Sequence, residues 1–411
     1  MDATLPRPAF GMFTHSAGAH VAGHSLTTKL RAIAASGLDA VEIFQDDLDA
    51  FAKSPEFQIY NTRDALTPPD SPTSRRASDS SSQSSSSAPL TKAGLRGEAK
   101  GRSSTSETAI FNAHGPCTSA ELAQEVAAAA YIGDLCASLG LQVLNLQPLR
   151  DVEGWSSAED QAAADARVRS RFPIMRALGT DLLLCCSNNQ PSPRTTGDAH
   201  RIAQDLARMA DEAKTFSETI GQDSRPLRIA YEGLSWGAHH DTWQGAWQCV
   251  ELANRDNVGL VLDSFNTLGR EFADPCCANG VSADPTWRES LARIPTVPAE
   301  KIFLVQIGDA RRVPAPLEPS PNGKEPRPSR MIWSRSHRLF PGEIAKGAFM
   351  PTVEFMHAVV VQAGYRGPWS VEVFNDSLSD EASNVPSLHA NRAKAGLEWL
   401  FAQVLATCSQ A

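Results

Sequence analysis

The chain has 411 residues, 42% of them hydrophobic and 21% charged, so it can fold around a large buried core. Its formal net charge of −9 argues against a nucleic-acid partner, because binding a phosphate backbone requires clustered lysine and arginine side chains that the sequence lacks. The sequence shows neither a signal-peptide pattern nor an apolar run of about 20 residues, so we expect no membrane contact and a cytoplasmic location. In that compartment the cysteines should be reduced. The negative charge makes a small organic substrate the better expectation.

Short apolar runs alternate along the chain with segments in which apolar residues return at helical spacing, which is typical of βα units on a parallel sheet. Eight runs are predicted strands, at 9–13, 40–44, 142–147, 181–187, 227–232, 258–265, 302–308 and 369–374. Seven segments are predicted helices, at 26–36, 122–139, 158–178, 199–220, 243–254, 352–363 and 386–405. The crossover after the sixth strand, at 285–293, has only a weak helical pattern.

Eight such units close most simply into one (β/α)8 TIM barrel over residues 1–411. An open doubly wound sheet is the alternative, but it usually has fewer strands and a Gly-rich phosphate-binding turn that is absent here.

Two polar stretches interrupt this pattern. Residues 54–116 include TPPDSPTSRRASDSSSQSSSSAPL (67–90), which cannot bury enough apolar surface to offset the entropy of ordering. We therefore predict a disordered Ser/Pro-rich insertion at about 54–116. Residues 312–330 are polar and rich in proline, and we predict a second loop there.

Polar side chains stand where predicted strands end, which is the edge where TIM barrels carry their active sites. They are Glu42, Glu232, Asp263, Gln306, Asp309 and Glu372. A carboxylate in an apolar strand is costly unless it is paired or binds a cation. We expect four of these side chains to converge above the barrel, namely Glu232, Asp263, Gln306 and Glu372. Their oxygen ligands suit Mg²⁺ or Mn²⁺, with Co²⁺ as a third option; the open alternative is that each caps a helix or pairs with an arginine.

Histidines are the candidate proton acceptors, because their pKa lies near neutral pH. The loop after the fifth strand, EGLSWGAHHDTW (232–243), carries His239 and His240 close to the expected metal. A solvated or capping role is the alternative for both. We interpret the other histidines, among them His15, as surface or packing residues.

Arginines near the expected site suit a small anionic, cyclic substrate. The segment WSRSHRLFPGE (333–343) holds Arg335, His337 and Arg338, a basic cluster that could bind a carboxylate through paired hydrogen bonds. Arg150, in LNLQPLRDVEGW (144–155), is a further candidate for the same role. A solvated surface loop is the alternative for the basic cluster.

Seven collinear segments carry a resemblance that covers nearly the whole chain outside the Ser-rich stretch. They are VEIFQDDL (41–48), LQPLRDVEG (146–154), YEGLSWGAHHDTW (231–243), GLVLDSFNTLGRE (259–271), FLVQIGDA (303–310), WSRSHRLFPGE (333–343) and VEVFND (371–376). In this order they resemble the 3-dehydroshikimate dehydratases of the xylose isomerase-like barrel superfamily.

The resemblance implies a divalent-metal-dependent lyase of quinate and shikimate catabolism that converts 3-dehydroshikimate to protocatechuate. The enzyme would remove a proton next to the substrate carbonyl and release water. The resemblance also implies that His239 is an active-site histidine, and that the metal ligands are Glu232, Asp263, Gln306 and Glu372.

One position departs from the family pattern. The family's second active-site histidine follows the metal-binding aspartate by three residues, and here that place holds Asn266, which cannot accept a proton at neutral pH. We expect Asn266 to bind substrate and Trp236 to pack on the substrate ring.

Two other functions stay open at this point. A sugar or hydroxy-ketone isomerase or epimerase would share the metal and the first chemical step, because function is decided by the site and not by the fold. A barrel without catalysis that acts as a binding protein is the second alternative. A homodimer is also an open option.

Overall fold

A computed structural model of the chain describes residues 5–64, 109–221, 225–319 and 327–408. Its eight barrel strands are β1 (Phe10–Phe13), β2 (Ala40–Phe44), β3 (Gln142–Leu149), β4 (Leu182–Cys186), β5 (Arg228–Glu232), β6 (Val258–Asp263), β7 (Ile302–Ile307) and β8 (Trp369–Val371). They pair in parallel and close in the order β1, β8, β7, β6, β5, β4, β3, β2. The predicted TIM barrel is therefore confirmed.

Helices cover the outside of the barrel. In the described ranges they are α1 (Leu26–Ala35), α2 (Gln45–Ala52), α3 (Pro55–Asp64), α4 (Ser119–Ser138), α5 (Ala158–Leu178), α6 (Ala199–Ile220), α7 (Trp243–Ala253), α8 (Ser264–Glu271), α9 (Trp287–Leu291), α10 (Ser329–His337), α11 (Thr352–Met356) and α12 (Val385–Cys408). A π-helical turn, His357–Gln362, follows α11. None of these helices is apolar over a length that could cross a bilayer, and all eight cysteines are free thiols, as predicted.

The strand bounds differ from the prediction mainly at the carboxyl ends. The sixth strand was expected to reach residue 265, but it ends at Asp263 because that side chain caps the next helix: Asp263 Oδ1 accepts a hydrogen bond from the amide of Phe265 at 2.7 Å. Helix α8 therefore begins at Ser264, directly after the strand. The weak sixth crossover is thus divided between α8 and the short α9.

The predicted insertion is narrower than residues 54–116. Helix α3 occupies the start of that stretch, and two short antiparallel strands, Ile110–Phe111 and Pro116–Cys117, occupy its end. A capping box between Thr118 and Glu121 then starts α4. Residues 65–108 lie outside the described ranges, as do residues 320–326 of the predicted 312–330 loop, whose end is the start of α10.

Strands β6 and β7 show how the backbone positions polar groups at the barrel mouth. Every residue of β6 is buried. Gly259 leaves room for the neighbouring strand, since a Cβ there would lie 2.4 Å from a ring carbon of Phe303. Further along the same pair of strands, Asp263 stands opposite Gln306 in the parallel register.

Candidate active site

Three acidic side chains converge at the carboxyl ends of the barrel strands. Glu232 ends β5, Asp263 ends β6, and Glu372 follows β8 directly. All three are buried, and each offers a carboxylate oxygen within 4.8 Å of those of the other two. The structure brings them together as the sequence predicts, because neighbouring parallel strands deliver their last residues to one edge of the barrel.

The fourth predicted ligand, Gln306 of β7, is held in a fixed orientation. Its side-chain nitrogen donates to Glu42 Oε2 at 2.8 Å, and Glu42 is itself held by Asn145 Nδ2 at 2.7 Å. The side-chain oxygen of Gln306 is buried without a hydrogen-bond partner. Leaving a buried acceptor unpaired costs roughly 1–3 kcal/mol, and an amide oxygen is a suitable ligand for a hard cation.

Burial and mutual repulsion disfavour the charged state of these carboxylates. Burial raises the pKa of Glu232 well above its ordinary value, and the charges of Glu372 and Asp263 raise it further. Burial raises the pKa of Asp263 to about 6, although Arg338 opposes this rise. Burial and then the charge of Glu372 raise the pKa of Glu42 to about 7. The cluster can relieve its repulsion only by binding protons or a cation.

Arg338 lies within this cluster and not in the predicted substrate clamp. Its Nη1 donates to Asp263 Oδ2 at 2.9 Å and to Glu372 Oε2 at 2.8 Å. Its guanidinium is buried and stacks 4.2 Å from the ring centroid of Phe265. The predicted substrate role of Arg338 is therefore corrected, because two strand-end carboxylates already engage it. One guanidinium can offset one of the three carboxylates, so the cluster has an excess of negative charge whenever the other two are ionised.

Asn266 also faces the carboxylates. Its Nδ2 donates to Glu232 Oε1 at 2.6 Å and to Asp263 Oδ2 at 3.0 Å, while its Oδ1 accepts from the backbone amide of Ser235 at 3.1 Å. These contacts fix which end of the amide points at the cluster. The structure thus makes Asn266 a group that orients two carboxylates, in place of the substrate contact predicted from the sequence.

The donor set fits a divalent cation. Three carboxylates supply oxygen donors, the type that Mg²⁺ and Mn²⁺ prefer. The side-chain amide of Gln306 borders them, with its nitrogen 3.4 Å from Glu372 Oε1. The negative charge that Arg338 leaves uncompensated would be neutralised by such an ion.

A cavity of about 430 Å³ opens at the same end of the barrel, although none of the four predicted metal ligands is among its lining residues. Its lining residues include Arg150, after β3, Arg335, in α10, and Trp236, three of the residues predicted to contact a substrate. Among the described residues neither guanidinium has an ion pair or a hydrogen bond, and that of Arg335 lies 4.3 Å over the ring of Phe374. Burial and the nearby charge of Arg150 lower the pKa of Arg335 to about 10, so it stays charged at neutral pH.

His15 lines this cavity too, although it was not among the predicted site residues. It follows β1 and contacts three aromatic rings, with centroid distances of 6.1 Å to Phe13, 5.0 Å to Phe44 and 5.2 Å to Phe374. Its Nδ1 is buried without a hydrogen-bond partner. His15 therefore packs against aromatic rings and in addition lines the cavity; its position just after a strand end was the available signal for the second property.

The three histidines predicted to belong to the site lie outside this cavity. His239 Nε2 is 2.9 Å from Thr195 Oγ1, and His240 Nε2 is 3.1 Å from the carbonyl oxygen of Gly197. His337 ends α10, with its Nδ1 2.7 Å from Ser336 Oγ. None of the three lines the cavity. Each of these histidines has its own contact away from the cavity, and the catalytic role of His239 or His240 and substrate binding by His337 stay predictions.

Comparisons with known proteins agree with this barrel. The profile of the family described as xylose isomerase-like TIM barrel matches residues 110–403. The chain is 34% identical over 273 residues to a 3-dehydroshikimate dehydratase of Neurospora crassa, an alignment that covers 65% of this chain and 74% of that protein. It is 38% identical over 244 residues to a 3-dehydroshikimate dehydratase of Pseudomonas aeruginosa, which covers 59% of this chain but 31% of that protein.

A solved structure supports the xylose isomerase-like TIM barrel. A xylose isomerase-like TIM barrel/4-hydroxyphenylpyruvate dioxygenase fusion protein superposes with a TM-score of 0.63 and 26% identity, over 98% of this chain and 44% of that chain. This chain thus spans less than half the length of that fusion protein and about a third of the Pseudomonas relative. The chain belongs to the 3-dehydroshikimate dehydratases, within the xylose isomerase-like TIM barrel family.

Proposed function

We propose that this chain converts 3-dehydroshikimate to protocatechuate and water, with a divalent metal ion held by Glu232, Asp263, Gln306 and Glu372. The relatives named 3-dehydroshikimate dehydratase support the reaction. The observation that carries the proposal is the presence of two features at one barrel end: a buried cluster of three carboxylates, and a cavity lined by two arginines whose guanidinium groups have no ion pair among the described residues.

Two arginines would hold the substrate. The substrate of this reaction is a cyclic carboxylate, and the guanidinium groups of Arg150 and Arg335 can bind a carboxylate through charge-assisted hydrogen bonds. The rings of Trp236 and Phe374 line the same cavity and would pack on the carbon ring. An anionic substrate is therefore favoured over a neutral sugar.

The metal would supply a positive charge to the carbonyl oxygen where negative charge develops as the neighbouring proton leaves. Around it, Arg338 and Asn266 hold the ligand carboxylates of Asp263 and Glu232 in place. Loss of the C4 proton and of the C5 hydroxyl together removes one water. A further enolisation then gives the aromatic ring.

His15 is our candidate for the group that accepts the C4 proton. Burial lowers the pKa of His15 to about 3, against a rise from Asp47 and with further lowering from Lys29 and Arg335. The ring is thus neutral at neutral pH and keeps a free lone pair. A substrate carboxylate bound to Arg335 would offset that neighbour's charge and raise the basicity of His15, while Asp47 would stabilise the imidazolium that forms.

An isomerase or epimerase is the second candidate, because such enzymes could use the same cluster on the same barrel. The two unpaired arginines at the cavity favour the dehydratase. The third candidate is a barrel that binds a ligand without catalysis. A protein of that kind would not need the buried carboxylate cluster.

One assay separates these candidates. Purified full-length protein is incubated with 3-dehydroshikimate and Mn²⁺ or Mg²⁺, and the aromatic product is followed by ultraviolet absorbance, with a chelator as control. We expect metal-dependent formation of protocatechuate. Turnover of a ketose without any protocatechuate would favour the isomerase, and no turnover of either substrate would favour the binding protein.

A further inference from the structure

A second cavity lies at the opposite end of the barrel from the candidate active site. Its volume is about 360 Å³, and it is lined by the first residues of β3, β4 and β5, by part of β7 and by Pro368 just before β8. Catalytic groups of TIM barrels sit at the other, carboxyl-terminal end of the strands. We call this space the floor cavity; the proposed reaction makes no use of it.

The floor cavity carries an excess of positive charge. Three arginines line it, Arg176, Arg225 and Arg228, and Asp181 is the one carboxylate among its lining residues. Asp181 Oδ1 accepts from Arg228 Nη2 at 2.9 Å, which offsets one of the three positive charges. Within the described ranges, Arg176 and Arg225 have no ion pair with any carboxylate. Two guanidinium charges are therefore left without a counter-ion around one enclosed space.

Some of the hydrogen-bond donors around this cavity are unused. Arg176 Nη2 donates to Ser217 Oγ at 3.1 Å and to the carbonyl oxygen of Arg225, but its Nε is buried without a partner. The Nε of Arg228 is likewise buried and unpaired. Burial lowers the pKa of Arg176, and the charge of Arg225 lowers it further although Asp181 opposes this. A buried guanidinium N–H without an acceptor is unfavourable, since guanidinium groups stay charged in proteins.

The walls of the floor cavity define the size of a ligand. Its volume of about 360 Å³ accommodates a small molecule such as a phosphate or a dicarboxylate. The ring of Phe303 lies 4.8 Å under the guanidinium of Arg228 and, with Leu304 and Pro368, gives the cavity an apolar side. Planar guanidinium groups bind phosphate and carboxylate oxygens in pairs.

We propose that the floor cavity is a binding site for a small dianion, either a phosphate group or a dicarboxylate, held by Arg176, Arg225 and Arg228. Two charges on the ligand would match the two arginines that Asp181 leaves uncompensated. The site is independent of the proposed dehydratase reaction, because it lies at the other end of the barrel and shares no residue with the carboxylate cluster.

Binding can be measured on the full chain by isothermal titration with inorganic phosphate and, separately, with succinate, at constant ionic strength set with NaCl. We expect one saturable site per chain for at least one of the two dianions. Phosphate binding alone would identify a phosphate ligand, and succinate binding alone a dicarboxylate; each result supports the site. Absence of saturable binding by both would overturn the proposal.

Two variants locate the site. Arg176→Gln and Arg225→Gln should each weaken the binding about tenfold or more, because each removes a charge-assisted contact. Arg225 is exposed, so Arg225→Gln should fold even if Arg176→Gln does not. Arg31→Gln, at an exposed position of α1, is the matched control and should bind as the wild type does. Equal binding by the wild type and Arg225→Gln would place the ion elsewhere and refute the proposal.

Discussion

Replacing Arg338 by methionine would test the electrostatic balance of the carboxylate cluster. The substitution removes the guanidinium that bonds Asp263 and Glu372 while keeping a long apolar stem beside Phe265. Removing one partner of a buried ion pair leaves uncompensated charge and typically costs about 3–5 kcal/mol. We therefore expect Arg338→Met to lower the free energy of unfolding of the metal-free protein by that amount at pH 8.

The loss should depend on pH with a definite sign. The pKa of Asp263 is about 6 in the folded protein against an ordinary value of 3.8, a difference that corresponds to about 3 kcal/mol. A carboxyl whose pKa is raised on folding contributes stability that is complete below pH 3.8 and is lost as the pH rises through about 6. Arg338 lowers this pKa because it stabilises the charged carboxylate. The free energies of unfolding of the wild type and of Arg338→Met should therefore differ little near pH 4 and most at pH 8.

Urea denaturation followed by circular dichroism measures both effects, first with a chelator and then with Mn²⁺. Manganese at about 100 times its Kd should return about 2.7 kcal/mol to the variant, because the ion replaces the missing positive charge. The control is Arg255→Met, which breaks an exposed ion pair with Asp211 and should cost less than about 1 kcal/mol. A loss in Arg338→Met no larger than that of the control, or one that is the same at pH 4 and pH 8, would refute this reasoning.

Three further predictions concern the cavity and a second buried acid. His15→Phe keeps the aromatic packing but removes both ring nitrogens, so kcat should fall about 100-fold or more, whereas His239→Phe should change kcat less than about threefold. Arg335→Gln should raise KM for 3-dehydroshikimate about tenfold with little change in kcat, because it removes a contact that substrate and transition state share. Burial raises the pKa of Glu153 to about 7 from an ordinary 4.5. The protonated carboxyl of Glu153 therefore contributes stability that is complete below pH 4.5 and is lost as the pH rises through about 7. Glu153→Gln should therefore be more stable than the wild type at pH 8, by up to about 3 kcal/mol, and equal to it near pH 4.

Steady-state kinetics and urea denaturation check these three predictions. Normal turnover by His15→Phe together with inactive His239→Phe would return the proton-transfer role to the loop after β5. An Arg335→Gln enzyme with unchanged KM would place the substrate carboxylate elsewhere. A Glu153→Gln protein that is no more stable than the wild type at pH 8 would show that Glu153 is ionised without penalty in the folded state.

The barrel was predictable because its strands and most of its helices keep their own periodicity over many residues. Two elements were not. Helix α8 begins in the residue after β6, so the apolar Phe265 could be assigned to either element until the capping bond of Asp263 was seen. Helix α3 lies in a polar stretch whose composition suggested disorder.

The convergence of the carboxylates was also predictable, since it follows from strand ends alone. The assignment of the arginines was not. Arg335 and Arg338 are three residues apart, but α10 ends at His337 and Arg338 continues in an extended strand, which sends the two guanidinium groups to different places. No local sequence pattern predicts this change from helix to extended strand at Arg338. His15 was missed for a similar reason, because its surroundings come from β2 and from the segment after β8, far away in the sequence.

The most direct test of the account is the titration of Mn²⁺ into chelator-stripped, full-length protein by isothermal calorimetry. We expect one ion per chain, and binding at least tenfold weaker in Glu232→Gln, which removes a charged ligand and keeps the side-chain shape. Glu251→Gln, at an exposed position of α7, should bind as tightly as the wild type. A wild-type protein that binds no Mn²⁺, or a Glu232→Gln variant that binds it equally well, would contradict the claim that the strand-end carboxylates form a metal site.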